Sequence, residues 1–218
     1  TEASVQERAD RPTHVSVDAF VDMIIDTSPV GPDAPWRLVG LVGPPGAGKS
    51  TLAERLSTEA ACTVAPMDGF HLENSELDRL GRRDRKGAPE TFDALGFVER
   101  VEQLGAASGD VAWPTFDRDL DEPVPAGAVI PVAARTVVVE GNYLLLDAQP
   151  WARLRRIIDT IAYLDVDDEA RIARLVERHV RFGRTRADAA RFVRDSDERN
   201  AAIVRRTRAR ADVAIDVS

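Results

Sequence analysis

The chain lacks the features that would place it outside the cell or in a membrane. Its 218 residues hold one cysteine, Cys62, so no intramolecular disulfide can form, and no paired Cys/His spacing suggests structural zinc. A reducing compartment, the cytoplasm, is the expected location. No apolar run approaches the ~18 residues of a membrane span, and residues 1–13 are polar and acidic where a secretory signal would be basic and then apolar. Positive charge is in deficit: 29 Lys and Arg stand against 37 Asp and Glu, for a net charge of −8 and a pI near 5.0. That excludes a general nucleic-acid binder, which needs phosphate-neutralising surface, and points to a small-molecule partner. Lysine is nearly absent. Only Lys49 and Lys86 occur, so each lysine is informative, whereas a single arginine is not. What remains is ordinary globular composition, 44% hydrophobic and 30% charged, and area scaling buries about 70% of the unfolded surface, enough for one core without staples.

The pattern along the chain predicts alternating strands and helices in one domain spanning 1–218. Residues 1–15 show no periodicity and read as a loose arm. Val17, Phe20, Val21, Ile24 and Ile25 then follow helical spacing behind a capping Ser16. A loop is expected over 27–35, a buried strand over 38–42, a helix over 50–60 and a strand over 62–66. A polar loop then runs to about Glu90, followed by a helix over 94–107 capped by Asp93 and a strand near Val111. Proline-rich loop is expected over 114–125, strands at 137–139 and 161–166, helices over 167–182 and 187–208, and a closing strand over 212–217. Such alternation implies a mainly parallel sheet covered by helices on both faces.

Between the strand at 38–42 and the helix at 50–60 stand Gly43, Pro44, Pro45, Gly46, Ala47, Gly48, Lys49, Ser50 and Thr51, which match G-x-x-x-x-G-K-[ST] in the strand-turn-helix context the motif requires. Glycines let backbone N–H groups converge on phosphate oxygens, and the helix N-terminus adds its positive end. Lys49 bridges the terminal phosphates of ATP, and Ser50 offers a hydroxyl to Mg²⁺. Asn-Lys-x-Asp, needed for guanine recognition, is absent, and Asp93-Ala-Leu-Gly96 reads as a helix start, so a GTPase switch is disfavoured. Glu140 ends a β-branched run, where metal-associated acids of such folds sit. Asp68 lies 19 residues beyond Lys49, after the helix at 50–60 and the strand at 62–66, so it should emerge at the carboxyl edge of the sheet, where open parallel sheets bind ligands. There a carboxylate can take a proton from an acceptor hydroxyl or hold the metal, although an Asp-Gly pair also makes a simple turn.

With these pieces the chain resembles the phosphoribulokinase/uridine kinase family. The resemblance rests on 43–51, Met-Asp-Gly-Phe-His at 67–71, Arg-Lys-Gly-Ala-Pro-Glu-Thr-Phe-Asp at 85–93, Phe-Asp-Arg at 116–118, Val-Glu-Gly-Asn-Tyr-Leu-Leu-Leu at 139–146 and the arginine-rich helix from 171, in consistent order over about 36–217. It implies an α/β, three-layer P-loop NTPase fold with a mainly parallel sheet flanked by helices, and an ATP:alcohol phosphotransferase. Asp68 would be the base, Glu140 would lie near Mg²⁺ or the acceptor, and arginines would form a lid over the phosphates. Uridine kinases usually carry acidic-Ser-Phe-Tyr where this chain has Asp-Gly-Phe-His, which weakens a nucleoside acceptor. The Gly-Phe-His and Arg-Lys-Gly segments are similar to bacterial pantothenate kinase. Short bacterial members named as sugar or fructose kinases are similar overall.

The remaining candidates carry two readings each. His71 either bonds substrate or orders a turn. Arg85 and Lys86 either contact the acceptor or are solvated, and Asp117 and Arg118 sit in a loop suited to line its pocket. Arg171, Arg174, Arg178 and Arg181 share roughly an 80° arc at 100° per residue, a cationic face opposite Ile172, Leu175, Val176 and Val180. Arg174 and Arg178 are its candidates for phosphate contact; the alternative is a solvated face. His179 and Cys62 read as structural. With only Phe70, Phe92 and Phe116 near these segments, a hydrogen-bond-rich lining fits a sugar or sugar-like polyol better than a nucleobase. Uridine, cytidine or pantothenate kinases are the alternatives, and a regulatory nucleotide-binding protein or NTP hydrolase is the competing class. The expected partners are the hydroxyl acceptor and, at most, a second copy of the chain in a homodimer, with no nucleic acid and no membrane.

Overall fold

The computed structural model describes residues 12–29 and 36–217. Most of the expected arm, 1–11, and the part of the expected loop at 30–35 lie outside the described residues. Six strands form one parallel sheet in the order β1 (Thr13–Ser16), β8 (Val213–Asp216), β7 (Thr160–Asp165), β2 (Arg37–Val42), β6 (Thr136–Glu140), β3 (Thr63–Pro66). Alternation along each strand sends side chains to two cores. Leu38 and Val42, Val137 and Val139, and Ile161 and Tyr163 face one side, while Val39 and Leu41, Val138, and Ala162 and Leu164 face the other.

On the second side, α1 (Val17–Thr27) and α2 (Lys49–Glu59) cover the sheet with Phe20, Ile24, Leu52 and Leu56. Ser16 caps α1 by accepting from the Ala19 amide at 3.2 Å. On the first side α4 (Ala94–Gly105), capped by Asp93 at the Gly96 amide, contributes Phe97, Val98, Val101 and Leu104. The Trp151–Arg156 turn adds Trp151 and Leu154. Each deletion of such a fully buried side chain to Ala would cost about 2–5 kcal/mol. Among the described residues no helix is long and apolar enough to cross a membrane.

The structure corrects four boundaries. Thr13–Val15, expected in the arm, join Ser16 in pairing in parallel with Val213–Asp216 as an edge strand, held by backbone bonding that a four-residue segment cannot announce by periodicity. The expected loop 114–125 is instead a hairpin of β4 (Val111–Asp117) and β5 (Glu122–Ile130), its antiparallel register shifting between Trp113 and Thr115. Pro114 sits at that irregularity, and a two-stranded ribbon has only edges, where proline is tolerated. The polar segment after β3 contains α3 (Asn74–Arg79) and short turns. The last long helix is divided: α6 (Arg186–Phe192) and α7 (Glu198–Arg205) are joined by one π-helical turn, Val193–Asp197. The helix α5 (Asp168–Arg181) precedes them, capped by Asp167.

The topology fixes where a ligand can lie. From β2 the chain crosses to β3 at one edge, and from β6 it returns to β7 on the other side of β2. The carboxyl end of β2 is therefore a switch point, where adjacent connections diverge and leave a crevice.

Candidate active site

The turn after β2 leads directly into α2, whose N-cap is Gly48. No side chain caps this end, and its first turn carries no acid, so its amides and dipole face the crevice uncompensated. Gly46 has φ +79°, and a Cβ there would stand 2.8 Å from Leu175 Cγ and 3.0 Å from the Arg171 carbonyl, so the loop runs directly beneath α5. Lys49 Nζ donates to the carbonyls of Gly43 and Pro44 at 2.9 and 3.1 Å. Burial pulls its ammonium down to about 8, although Glu140 and Asp68 both favour the charged form.

Strand register brings the two carboxylates to this loop. Glu140 pairs with Leu41 on one side and Pro66 on the other, so the ends of β2, β3 and β6 lie level. Glu140 Oε1 accepts from Ser50 Oγ at 3.0 Å, and burial raises the Glu140 pKa while Lys49 lowers it. Asp68 follows β3 in the turn Met67–Phe70. A Cβ on Gly69 would fall 2.1 Å from the Pro114 carbonyl, so the hairpin rests on this turn and carries Arg118 over Asp68. Arg118 Nη2 meets Asp68 Oδ2 at 3.0 Å; Asp68 Oδ1 has no hydrogen bond among the described residues.

These groups line a cavity of about 1100 Å³. Pro45, Gly46, Gly48, Lys49, Ser50 and Thr51 form one wall; Gly43, Pro44 and Ala47 lie behind it, with the Ala47 amide bonded to Pro44 O at 3.1 Å. Arg174 and Arg178 face the cavity from α5 with no hydrogen bond or ion pair among the described residues, and burial works against the Arg178 charge. Arg181 does not line it. His71 and Lys86 form the far wall. His71 Nδ1 donates to the Asp68 carbonyl at 2.8 Å, burial favours the neutral ring, and Nε2 is left as an acceptor. Lys86 Nζ donates to Asn74 Oδ1 at 2.7 Å, pairs with Asp121 at 3.0 Å and lies 4.9 Å from the Phe116 ring centre.

Two expected site residues lie elsewhere. Arg85 pairs with Glu90 and borders a second cavity of about 850 Å³. Asp117 closes the hairpin turn, its Oδ1 accepting from the amides of Asp119 and Leu120 at 2.9 and 3.0 Å. Arg171, counted on the cationic face, is fully buried instead: it donates to Pro45 O at 3.2 Å and Asp168 Oδ1 at 2.8 Å and pairs with Glu198, tying the loop to α5 and α7. Conversely His179 lines the cavity, its Nε2 2.8 Å from Asp197 Oδ2, together with Asn142 and Asn200. A signal for two of these exists in the sequence, since Asp197 and Asn200 interrupt the buried stripe Val193, Ala201, Val204 of the last helix. The paucity of rings is also offset by placement. His71 packs at tilted angles against Phe92 and Phe116 at centroid distances of 4.0 and 4.8 Å, so one wall is aromatic.

The residues fit a magnesium ion bound with nucleotide. Ser50 and Glu140 are hard oxygen donors already within 3.0 Å of each other, and no cluster of three His, Cys, Asp or Glu among the described residues forms a self-contained cage. An ion held by one or two protein oxygens, phosphates and water needs no such cage.

A model of the phosphoribulokinase/uridine kinase family matches residues 38–218. The chain is 36% identical over 188 residues to the uncharacterized protein YggC of Escherichia coli K12, covering 83% of this chain and 78% of that one. It is 36% identical over 159 residues to "Putative uridine kinase C227.14" of Schizosaccharomyces pombe, covering 67% of each. Among solved structures, a "putative fructose transport system kinase" from Silicibacter sp. TM1040 superposes with a TM-score of 0.83 at 35% identity, covering 92% of this chain and 98% of the other. YFH7 of Saccharomyces cerevisiae, at 19% identity and a TM-score of 0.77, shares the fold.

Proposed function

The chain belongs to the phosphoribulokinase/uridine kinase family, a kinase family with ATP-dependent members, and from that premise we propose that it transfers the γ-phosphoryl group of ATP to a hydroxyl of a small polyhydroxy metabolite, a sugar or sugar-like polyol. The carrying observation is Asp68: a carboxylate at the sheet edge that lines the cavity beside Lys49 and is anchored through Oδ2 by Arg118, with no hydrogen bond to Oδ1 among the described residues. A switch or a motor has no need of an acceptor pocket opposite the phosphate loop, such as the one Asp68 lines.

In the reaction the acceptor oxygen bonds to the γ-phosphorus as the bond to the β-phosphate oxygen breaks, ADP leaves, and the hydroxyl proton passes to Asp68 Oδ1. Lys49 and the α2 N-terminus hold the phosphates. Arg174 and Arg178 stabilise the charge that spreads over the transferring oxygens, and Ser50 and Glu140 would hold Mg²⁺. When bound, the ion would neutralise part of the phosphate charge. His71 Nε2 and the amides of Asn142 and Asn200 supply a hydrogen-bonding surface suited to several hydroxyls.

The aromatic wall of His71, Phe92 and Phe116 favours a second reading, a nucleoside acceptor stacked against it. ADP formation measured with fructose, ribulose, glycerate, pantothenate, uridine and cytidine at equal concentration separates the two. Stimulation by a sugar or sugar acid is expected. Turnover with uridine or cytidine alone rejects the polyol, and ATP hydrolysis that no compound in a broad acceptor panel stimulates makes a nucleotide-binding protein without acceptor transfer the better account. A cytoplasmic setting fits this substrate class.

A further inference from the structure

Asn200 on α7 is only 5% exposed, yet its side-chain amide makes no hydrogen bond among the described residues. Among the described residues no fully buried side-chain nitrogen or oxygen lacks a partner, so the unbonded amide of Asn200 keeps its polar atoms open to the cavities it borders, where a ligand group can take the place of water. Its position suggests the use. Asn200 borders both the active-site cavity and the second cavity of about 850 Å³, at the boundary the two share with Asp84, Arg184 and Phe192.

The opposing surface is held rigid. A Cβ built on Gly87, which has φ +96°, would stand 3.6 Å from Asn200 Nδ2, so the amide lies against this backbone. Gly87 is itself pinned: its carbonyl accepts from Tyr143 Oη and its amide donates to Thr91 Oγ1 at 3.0 Å. Asp197 lies one turn earlier on the same buried stripe, fixed by His179 at 2.8 Å. The π-helical turn Val193–Asp197 immediately precedes α7, and such turns occur often at functional sites.

We propose that Asn200 is a specificity-determining residue that binds the part of the acceptor remote from the phosphorylated hydroxyl, through a group that both donates and accepts, such as a second hydroxyl or a carboxamide. The amide offers one acceptor and two donors, which such a group complements and an apolar one does not. The acceptor then spans from Asp68 to the junction of the two cavities. This inference rests on the kinase reading and deepens it.

The test uses the full chain with Asn200→Leu, which keeps the volume, and Asn200→Ala in case the larger side chain does not fit. Because the amide makes no hydrogen bond to the described protein residues, the melting temperature should hold, where a structural asparagine would lower it. ADP should raise the melting temperature of both variants as it does wild type. For whichever of fructose, ribulose, glycerate, pantothenate, uridine or cytidine stimulates wild-type ADP release, KM should rise at least tenfold with kcat changed less than threefold. The preference over that compound's deoxy analogue should shrink in proportion. An acceptor KM within twofold of wild type, or loss of the ADP response together with stability, overturns the role of Asn200 and leaves the kinase reading intact. Absence of stimulation by every compound in wild type rejects the proposed acceptor class and this inference with it.

Discussion

Lys49 offers the sharpest test of the site because its charge is set by its surroundings. The ammonium is buried in the phosphate loop, and its pKa falls from 10.5 to about 8 despite two nearby carboxylates. At about pH 7 roughly 90% of the free protein carries the charge, and at about pH 9 roughly 10% does. Bound phosphates favour the charged form, and their own last ionisation lies near pH 6, below this range. ATP affinity should therefore fall about tenfold, or about 1.4 kcal/mol, between about pH 7 and 9. Isothermal titration with ATP and no acceptor, in two buffers of different ionisation enthalpy, should show uptake of about half a proton near pH 8. Without nucleotide the sign reverses. The unfolded chain holds the Lys49 proton up to about 10.5 and the folded one only to about 8, so the penalty on the charged form, about 3 kcal/mol, is relieved as pH rises through that window and stability increases. Lys49→Met should abolish both slopes and Lys49→Ala should lower turnover at least about 100-fold. A flat wild-type affinity across this range, or an equal slope in Lys49→Met, would refute the reasoning.

Asp68→Asn should reduce phosphoryl transfer by about 10²–10⁴ while ATP affinity stays within a fewfold, since the base acts on the acceptor; a loss of nucleotide binding with transfer retained would make Asp68 a ligand instead. Ser50→Ala and Glu140→Gln should raise the Mg²⁺ concentration needed for half-maximal rate, and an unchanged magnesium titration in both would remove them from the metal site. Arg174→Ala and Arg178→Ala should lower kcat with little change in melting temperature, whereas Arg171→Ala should destabilise the fold by about 2–5 kcal/mol, because it empties a fully buried position and unties the Pro45 carbonyl from α5. Equal kinetic and thermal behaviour of all three variants would contradict the division of the arginine face.

The sequence by itself determined the layered parallel architecture and the phosphate-binding end of the site. Both are local: apolar runs of strand length alternate with amphipathic helices, and the loop from Gly43 to Thr51 carries its geometry in its glycines and in the helix that follows. Asp68 and Glu140 were also legible, because Glu140 ends a strand, Asp68 lies just past the end of another, and parallel strands point their carboxyl ends to one edge. Tertiary structure decided the rest. Whether a given arginine binds phosphate, locks the core or meets solvent depends on what α5 packs against: Arg171 points under the loop, while Arg174 and Arg178, on the same helix, point into the cavity. Asp117 and Arg118 are neighbours in sequence, yet the hairpin sends one into its own turn and the other to Asp68. Arg85 and Lys86 part in the same way, to Glu90 and to Asp121. The aromatic wall joins rings from three separate segments, and Asn200 becomes conspicuous only when its burial and its missing partner are seen together. Such pairings form across long stretches of chain, and adjacent residues in an extended or turning backbone face opposite ways, so no local pattern records them.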